Sequence, residues 1–297
     1  MRVLVSGGTG LVGRYIVNGL LTAGYDVSVG GRTPPSPDWF VRPIEFRPLT
    51  LDPGRNQRAV FRGVEGYVHA AFDHLPGRYR DGEGDDPARF RLLNVDGTIR
   101  LLEDAKSAGV HRAVFLSSRA VYDGLPEGKT LDETAAPAPT SLYGRVKLES
   151  EQAVKHLGET DFVTASLRLT GVYGDLRPNK WDGLFTDYLA GKPIASRVAS
   201  EVHGRDVAFG VQLILEAKAS DVGGAVFNMS DILVDRADIL ASLQAAAASN
   251  HPLPARSDPH AVRVMPTQKL AALGWHPGGK PLLNQTLEAL VKAHAAA

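Results

Sequence analysis

Three glycines, a serine pair and a tyrosine–lysine pair are the residues of this chain whose types and spacing bear on chemistry. Gly7, Gly10 and Gly13 stand three residues apart in RVLVSGGTGLVG, which runs from Arg2 to Gly13. They lie between a β-rich run, Val3-Leu4-Val5, and a segment whose Ile16, Val17, Leu20 and Leu21 recur at helical spacing until Gly24 ends it. A helix N-terminus leaves backbone N–H groups unpaired and carries a partial positive charge, so it favours an anion provided no Cβ holds the anion off. Gly7 would allow the turn, Gly10 the close approach of a pyrophosphate, and Gly13 tight packing of helix on strand; the expected ligand is a dinucleotide. Tyr143 and Lys147 fall at i and i+4 on one face of a helix predicted over Leu142 to His156. Ser117-Ser118 close the apolar run Ala113 to Leu116. A tyrosine and a lysine at this spacing often meet by chance, so their meaning rests on the elements around them.

Those elements alternate. Asp26 to Val29 reads as a second strand ending in Gly30-Gly31-Arg32. At this strand end a dinucleotide fold places an acid on the adenine ribose hydroxyls, or an Arg that accommodates a 2′-phosphate. The acid is missing, and a guanidinium matches phosphate geometry, so Arg32 favours NADP(H), with NAD(H) the alternative. After the Pro-rich loop Thr33 to Asp38, Ile44 to Phe46 predicts a short third strand. Val64 to Ala71 predicts a fourth, whose Ala70 and Ala71 would let backbone approach a flat cofactor. Asp81 to Asp86 is expected to be a solvated loop, since it lacks calcium-loop spacing.

A long helical pattern follows from Pro87 to Ala108 and contains Asn94; Ala113 to Leu116 and Val163 to Leu169 are buried-type strands. Hydroxyls at the C-terminal end of a parallel strand, as at Ser118, lie where open α/β sheets bind ligands. The whole predicts an α/β, doubly wound, mostly parallel sheet with helices on both faces. Beyond Leu169 the pattern loosens, with helices expected over Asp206 to Lys218, Arg236 to Ala248 and Leu283 to Ala296, and a strand over Ala225 to Asn228.

Composition narrows the classes. The 297 residues are 43% hydrophobic and 22% charged with net charge +0, so no global field points to nucleic acid or an anionic membrane. A cysteine count of 0 excludes disulfides, thiol catalysis and cysteine metal sites and is compatible with a reducing cytoplasm. The glycines from Gly7 interrupt the N-terminal apolar run too early for a secretory leader. No apolar run approaches the roughly 20 residues that cross a bilayer. The nine His are scattered without metalloprotease spacing, His69 reads as a strand residue, and no metal is implied.

In chain order, GGTGLVG at Gly7, VHAA at Val68, NVDGT at Asn94, LSSRAVY at Leu116, YGRVK at Tyr143, LRLTGVYG at Leu167, HGRDVA at His203 and VFNMSD at Val226 resemble the extended short-chain dehydrogenase/reductase, or NAD(P)-dependent epimerase/dehydratase, family. The resemblance implies a Rossmann-type domain over residues 1–174, rejoined at about 203–228. It implies a small substrate-binding region over 175–202 and 229–297, with substrate held between the two. It makes Ser118, Tyr143 and Lys147 the catalytic trio. The cofactor would be bound by Gly7, Thr9, Gly10, Leu11, Val12, Gly13, Arg32, Ala70, Ala71, Asn94, Tyr143, Lys147, Leu169 and Val172. A phenol, with its pKa near 10, becomes a usable acid–base group when an adjacent ammonium stabilises the phenolate. Tyr143 would then protonate a carbonyl oxygen as hydride arrives, while Ser118 hydrogen-bonds the developing alkoxide.

Departures from the family pattern narrow the substrate. Arg119 and Ala120 occupy the places of the acidic pair that dehydratases use, so dehydration is not expected. Gly171 replaces the Asn usual in sugar-nucleotide epimerases, and Ala199 the Arg that grips a diphosphate, although Arg197 could substitute with a shift of register. A diphosphate needs paired donors when desolvated. Leu49 stands where an adenine-binding Asp is expected. The resulting expectation is an NADP(H)-preferring oxidoreductase moving hydride to or from a carbonyl or secondary alcohol of a small polar molecule, sugar-derived or otherwise. The alternatives are an NAD(P)-dependent nucleotide-sugar epimerase and a non-catalytic NADP-sensing protein. By the same resemblance the chain is expected to be a cytoplasmic homodimer, built on the helices bearing Asn94 and Tyr143, with no nucleic-acid or membrane partner.

Overall fold

Short β-rich runs alternating with amphipathic helices leave each strand to find a parallel neighbour across a helical crossover. In the computed structural model, which describes residues 1–75 and 82–295, the order is β1 (Arg2–Ser6), α1 (Leu11–Thr22), β2 (Asp26–Gly31), β3 (Glu45–Pro48), β4 (Gly66–His69), α2 (Pro87–Arg91), a π-helical turn (Leu92–Asp96), α3 (Gly97–Ser107), β5 (Arg112–Ser118), α4 (Leu142–Leu157), β6 (Val163–Leu169), β7 (Gly171–Tyr173), α5 (Asp182–Leu189), β8 (Val198–His203), α6 (Gly204–Glu216), α7 (Ala219–Val222), β9 (Ala225–Met229), β10 (Ile232–Asp235), α8 (Arg236–Ala247), α9 (Gln268–Ala271) and α10 (Gly279–Ala295). Of the acidic run Asp81 to Asp86, Asp81 lies outside the described residues, as does Ala296 at the end of the last predicted helix; Asp86 caps α2 by accepting from the Arg89 N–H at 2.8 Å.

The chain divides into two compact units. The first comprises Met1–Leu169, Val207–Met229 and Met265–Trp275. It holds a seven-stranded sheet in the order β3-β2-β1-β4-β5-β6-β9, parallel throughout. This is the Rossmann-type doubly wound arrangement. Side-chain alternation sends Leu4, Tyr67, Ala113 and Phe115 into one core with Leu101 and Leu102 of α3 and Val154 of α4. Val3 and Gly66 face the other way, toward Leu215 of α6. Strand order reverses between β1 and β4, which pair with Ser6 opposite His69. Gly7 and Ala70-Ala71 therefore leave adjacent strands at the switch point, where open α/β sheets bind their ligands.

The second unit comprises Thr170–Asp206, Ser230–Val264 and His276 onward. Its three strands run β10-β8-β7, β10 antiparallel and β7 parallel to β8. Its core gathers Tyr173, Trp181, Phe185, Leu240, Leu287 and Leu290. None of these strands is foreseen by the sequence reading: Gly171–Tyr173 is too short to show a period, and Val198–His203 breaks its apolar pattern by burying the adjacent polar Ser200 and Glu201. The predicted helix from Pro87 to Ala108 is also interrupted, by the π turn at Asn94.

Candidate active site

Backbone clearance decides the glycines. At Gly7, φ is +69°, and a Cβ would lie 2.6 Å from the Ala71 nitrogen. A Cβ at Gly13 would lie 2.1 Å from the Gly7 oxygen, whereas at Gly10 the nearest atom is that same oxygen at 3.3 Å. Gly7 and Gly13 are thus required by packing, and Gly10 is exposed and leaves room in front of α1. Gly10 is also the N-cap of α1 and offers no side-chain cap, with no acid in the first turn, so the N–H groups at Leu11 and Val12 meet no capping side chain. Thr9 is half-buried in the turn. This cradle fits a dinucleotide pyrophosphate.

Around it, Ala70 is tied to β1 by its N–H donating to the Ser6 carbonyl at 3.1 Å, and both Ala70 and Ala71 are half-buried. Arg32 follows β2 with its side chain 78% exposed, 3.5 Å from the Asp73 carboxylate, which lies equally far from Arg89. Leu49 is buried, and its N–H donates to the Gly31 carbonyl at 2.8 Å, so it is a core residue. Asn94 is buried, and its amide is committed to protein: Oδ1 accepts from the Asp73 N–H at 2.7 Å, and Nδ2 donates to the Asp73 and Phe90 carbonyls, both at 2.9 Å. The amide thereby ties the loop after β4 to the π turn. Leu169 closes β6 and is buried; Val172 lies on β7 of the second unit, opposite Val202.

Tyr143 and Lys147 stand on α4, and Ser118 ends β5. Ser141 caps this helix, its Oγ accepting from the Gly144 N–H at 3.1 Å. A Cβ at Gly144 would stand 2.7 Å from the Ala120 oxygen, so glycine lets α4 close on the turn after β5. Ser118 ends β5, and its Oγ accepts from the Ala120 N–H at 3.2 Å. Lys147 is 6% exposed and donates from Nζ to the Leu116 carbonyl at 2.7 Å. Its Nζ lies 4.3 Å from the Phe72 ring centroid, 4.9 Å from that of Phe115 and 6.0 Å from that of Tyr143. Burial pushes the ammonium down to about 7, against the attraction of Glu151. Arg119 pairs with Asp123 at 3.4 Å, and Ala120 is buried.

Two buried networks, both missed by the sequence reading, support this site. Tyr67 OH donates to Ser6 Oγ at 3.0 Å, and Ser6 Oγ lies 2.7 Å from His69 Nδ1. His69 Nε2 lies 2.8 Å from Thr98 Oγ1, which donates to the Asn94 carbonyl at 2.6 Å. Because the Thr98 hydrogen is spent, His69 must donate from Nε2 and accept at Nδ1. Burial, with the Lys147 charge adding to it, pushes His69 down to about 3 and keeps it neutral. The second network joins Glu151, Arg168, Tyr122 and Asn228. A charged residue four after Lys147, in a helix whose other face must be solvated, was the available signal.

Residues 3–230 match the model of the NAD dependent epimerase/dehydratase family. The chain belongs to that family. Among curated members, UDP-glucose 4-epimerase of Homo sapiens is 34% identical over 176 residues, covering 54% of this chain and 49% of that protein. The 3-beta-hydroxysteroid dehydrogenase of Mycolicibacterium neoaurum is 31% identical over 201 residues, covering 64% and 52%. The aligned part thus spans about half the length of these family members. Solved structures of similar fold cover the whole chain. The UDP-glucose 4-epimerase of Thermotoga maritima with UDP-glucose superposes with TM-score 0.78 at 22% identity over 100% of this chain and 99% of that one. The Thermus thermophilus UDP-glucose 4-epimerase complex with NAD gives 0.76 at 24% over 100% of both. At that identity they show the shared fold. Among the described residues no cluster of three or more potential ligands is arranged for a metal, and no helix is long and apolar enough to cross a membrane.

Proposed function

We propose that the chain is an NAD(P)-dependent oxidoreductase acting on a carbonyl or secondary alcohol of a small polar, sugar-derived substrate. The observation that carries this reading is the Lys147 ammonium, buried and fixed to β5 within 6.0 Å of the Tyr143 ring. A buried cation with so few donors engaged is costly unless its charge is used. Here it stabilises the Tyr143 phenolate, so that the phenol oxygen gives up and recovers a proton near neutral pH. Ser118 Oγ–H hydrogen-bonds the substrate oxygen that gains or loses that proton. The nicotinamide, when bound, supplies or accepts the hydride. Gly7, Gly10 and Gly13, with the first turn of α1, would hold its pyrophosphate, and Ala70 and Ala71 would border it.

NADP(H) is the preferred form in this reading. β2 ends in Gly30-Gly31 without a carboxylate, and the exposed Arg32 guanidinium is available to a 2′-phosphate. Dehydration is disfavoured by Arg119 and Ala120, and a diphosphate substrate by the second unit. There the space over Gly171 is taken by the Glu201 carboxylate, 2.5 Å from where a Cβ would stand, and Glu201 is paired with Lys180. The second reading, an epimerase that returns hydride to the opposite face, is favoured by relatives such as the human UDP-glucose 4-epimerase. We place the activity in the cytoplasm and in a homodimer built on the helical segments bearing Asn94 and Tyr143, the run from α2 through the π turn to α3 and helix α4, where Arg91 pairs with Glu149 at 2.8 Å next to the exposed Leu92.

One experiment tests the reading. Aldehydes, ketones, sugar acids and UDP-sugars are screened with NADPH and NADH, using wild type and Tyr143→Phe. Net nicotinamide oxidation by wild type that Tyr143→Phe loses supports the oxidoreductase. Turnover without net absorbance change points to the epimerase. A Tyr143→Phe variant that retains wild-type turnover overturns the catalytic site.

A further inference from the structure

Tyr143, Lys147 and Glu151 occupy i, i+4 and i+8 of α4, one above another on the same face. Glu151 is as buried as Lys147, at 4% and 6% exposure, which is unusual for two ionisable residues in one helix. Its carboxylate does not rotate freely. Arg168 on β6 grips it as a fork, Nε to Oε1 at 2.9 Å and Nη2 to Oε2 at 2.6 Å. The third guanidinium nitrogen of Arg168 donates to Tyr122 OH at 2.5 Å, and Tyr122 OH lies 2.9 Å from the Asp132 carbonyl and 3.1 Å from Asn228 Oδ1. Burial would lower Arg168, but the Glu151 carboxylate holds it above its ordinary value, so the guanidinium stays charged.

The groups facing Lys147 are few. β5 contributes the Leu116 carbonyl and the Phe115 ring, the loop after β4 the Phe72 ring, β4 the neutral His69, and α4 Tyr143 and Glu151. Glu151 is the anion of that set. We propose that Glu151 is a positioning residue for Tyr143 and Lys147: clamped by Arg168, its carboxylate is the counter-charge that opposes loss of the Lys147 proton one helical turn from the phenol. The inference rests on the trio proposed above and extends it by two residues, one ion pair and one further strand.

Removing the carboxylate leaves two buried cations, Lys147 and Arg168, with no anion between them, and lysine is the one that sheds its proton, because a guanidinium does not. The test needs no substrate. Phenolate formation is followed by ultraviolet difference titration in wild type and Glu151→Gln, each read against the same protein carrying Tyr143→Phe, so that the difference isolates Tyr143. In Glu151→Gln the Tyr143 transition is expected to move up by about one pH unit or more, a tenfold change in its ionisation constant. Glu151→Asp, which keeps the charge, is expected to restore it. An unchanged transition in Glu151→Gln overturns the proposal, as does a shift of equal size in Glu151→Asp. If Glu151→Gln does not fold, Glu151→Gln with Arg168→Gln, a neutral hydrogen-bonded pair, is titrated in its place with the same expected shift and the same overturning result. If Tyr143→Phe leaves turnover intact, the trio itself fails; if Tyr143→Phe is inactive and the titration does not move, only the role of Glu151 fails.

Discussion

Lys147 of α4 donates to the carbonyl of Leu116 at 2.7 Å, two residues before Ser118 on β5, so one hydrogen bond fixes the ammonium to the strand that carries the serine. The bond explains how a lysine survives burial beside three aromatic rings, and it ties the helix face of Tyr143 to the C-terminal end of β5.

Lys147→Met is expected to lower turnover on any substrate found by about 100-fold or more, since general acid–base groups contribute about that much. Its stability effect is pH-dependent with a determined sign. In the folded protein Lys147 loses its proton near 7, in the unfolded chain near 10.5, so between those values the unfolded state holds more protons. Wild-type stability relative to Lys147→Met therefore rises as pH increases through that window and is lowest below it. Urea denaturation of both proteins across the window checks this; a difference that falls with pH would falsify it.

The glycine cradle separates folding from binding. Gly13→Ala drives a Cβ to 2.1 Å from the Gly7 oxygen, backbone against backbone, and is expected to cost about 1–3 kcal/mol or to prevent folding. Gly10→Ala meets only that oxygen at 3.3 Å and should melt close to wild type. It should nevertheless bind NADPH at least about tenfold more weakly, because the added methyl stands where a pyrophosphate approaches the N–H groups of α1. Melting curves and cofactor fluorescence titrations on the two variants decide the matter.

Arg32→Ala is expected to weaken NADPH binding by about ten- to a hundredfold, the worth of one charge-assisted pair, while leaving NADH within about threefold. Comparable losses for both cofactors would assign Arg32 to the Asp73 ion pair and remove the basis for an NADP preference.

In the second unit, Asp206 accepts from the Gly278 N–H at 3.1 Å and Asp231 from the Gly279 N–H at 3.0 Å, two carboxylates at the start of α10. Burial, with the Asp231 charge adding to it, pushes Asp206 up to about 6 from 3.8. Between these values the folded state holds the extra proton, so this site stabilises the protein progressively as pH falls from about 6 and destabilises it above. Asp206→Asn, which keeps the acceptor and removes the charge, should raise Tm by roughly 2–4 °C above pH ~7, a gain that disappears toward pH ~4. Thermal melts at the two pH values measure it.

Local chemistry made much of this protein legible. Glycine spacing fixes a strand–turn–helix because a side chain at Gly7, where φ is +69°, would strike the Ala71 backbone, and one at Gly13 the Gly7 carbonyl. Apolar runs and helical periodicity fix the alternation of β1 to β6 with α1 to α4, since every one of these strands except the edge strand β3 buries side chains on both faces. The four-residue spacing of Tyr143 and Lys147 sets them on one face whatever the helix packs against.

Tertiary structure alone decided what those groups meet. That Lys147 is buried, that the Phe72 and Phe115 rings enclose it and that the Leu116 carbonyl accepts its hydrogen bond follow from how α4 closes on β5 over Gly144, a relation between segments about thirty residues apart. The clamp of Arg168 on Glu151, the spent amide of Asn94 and the second three-stranded sheet likewise join positions distant in the chain. A one-dimensional pattern records which face a residue occupies, but burial, and with it the charge state of a lysine or a histidine, depends on the partner that covers that face.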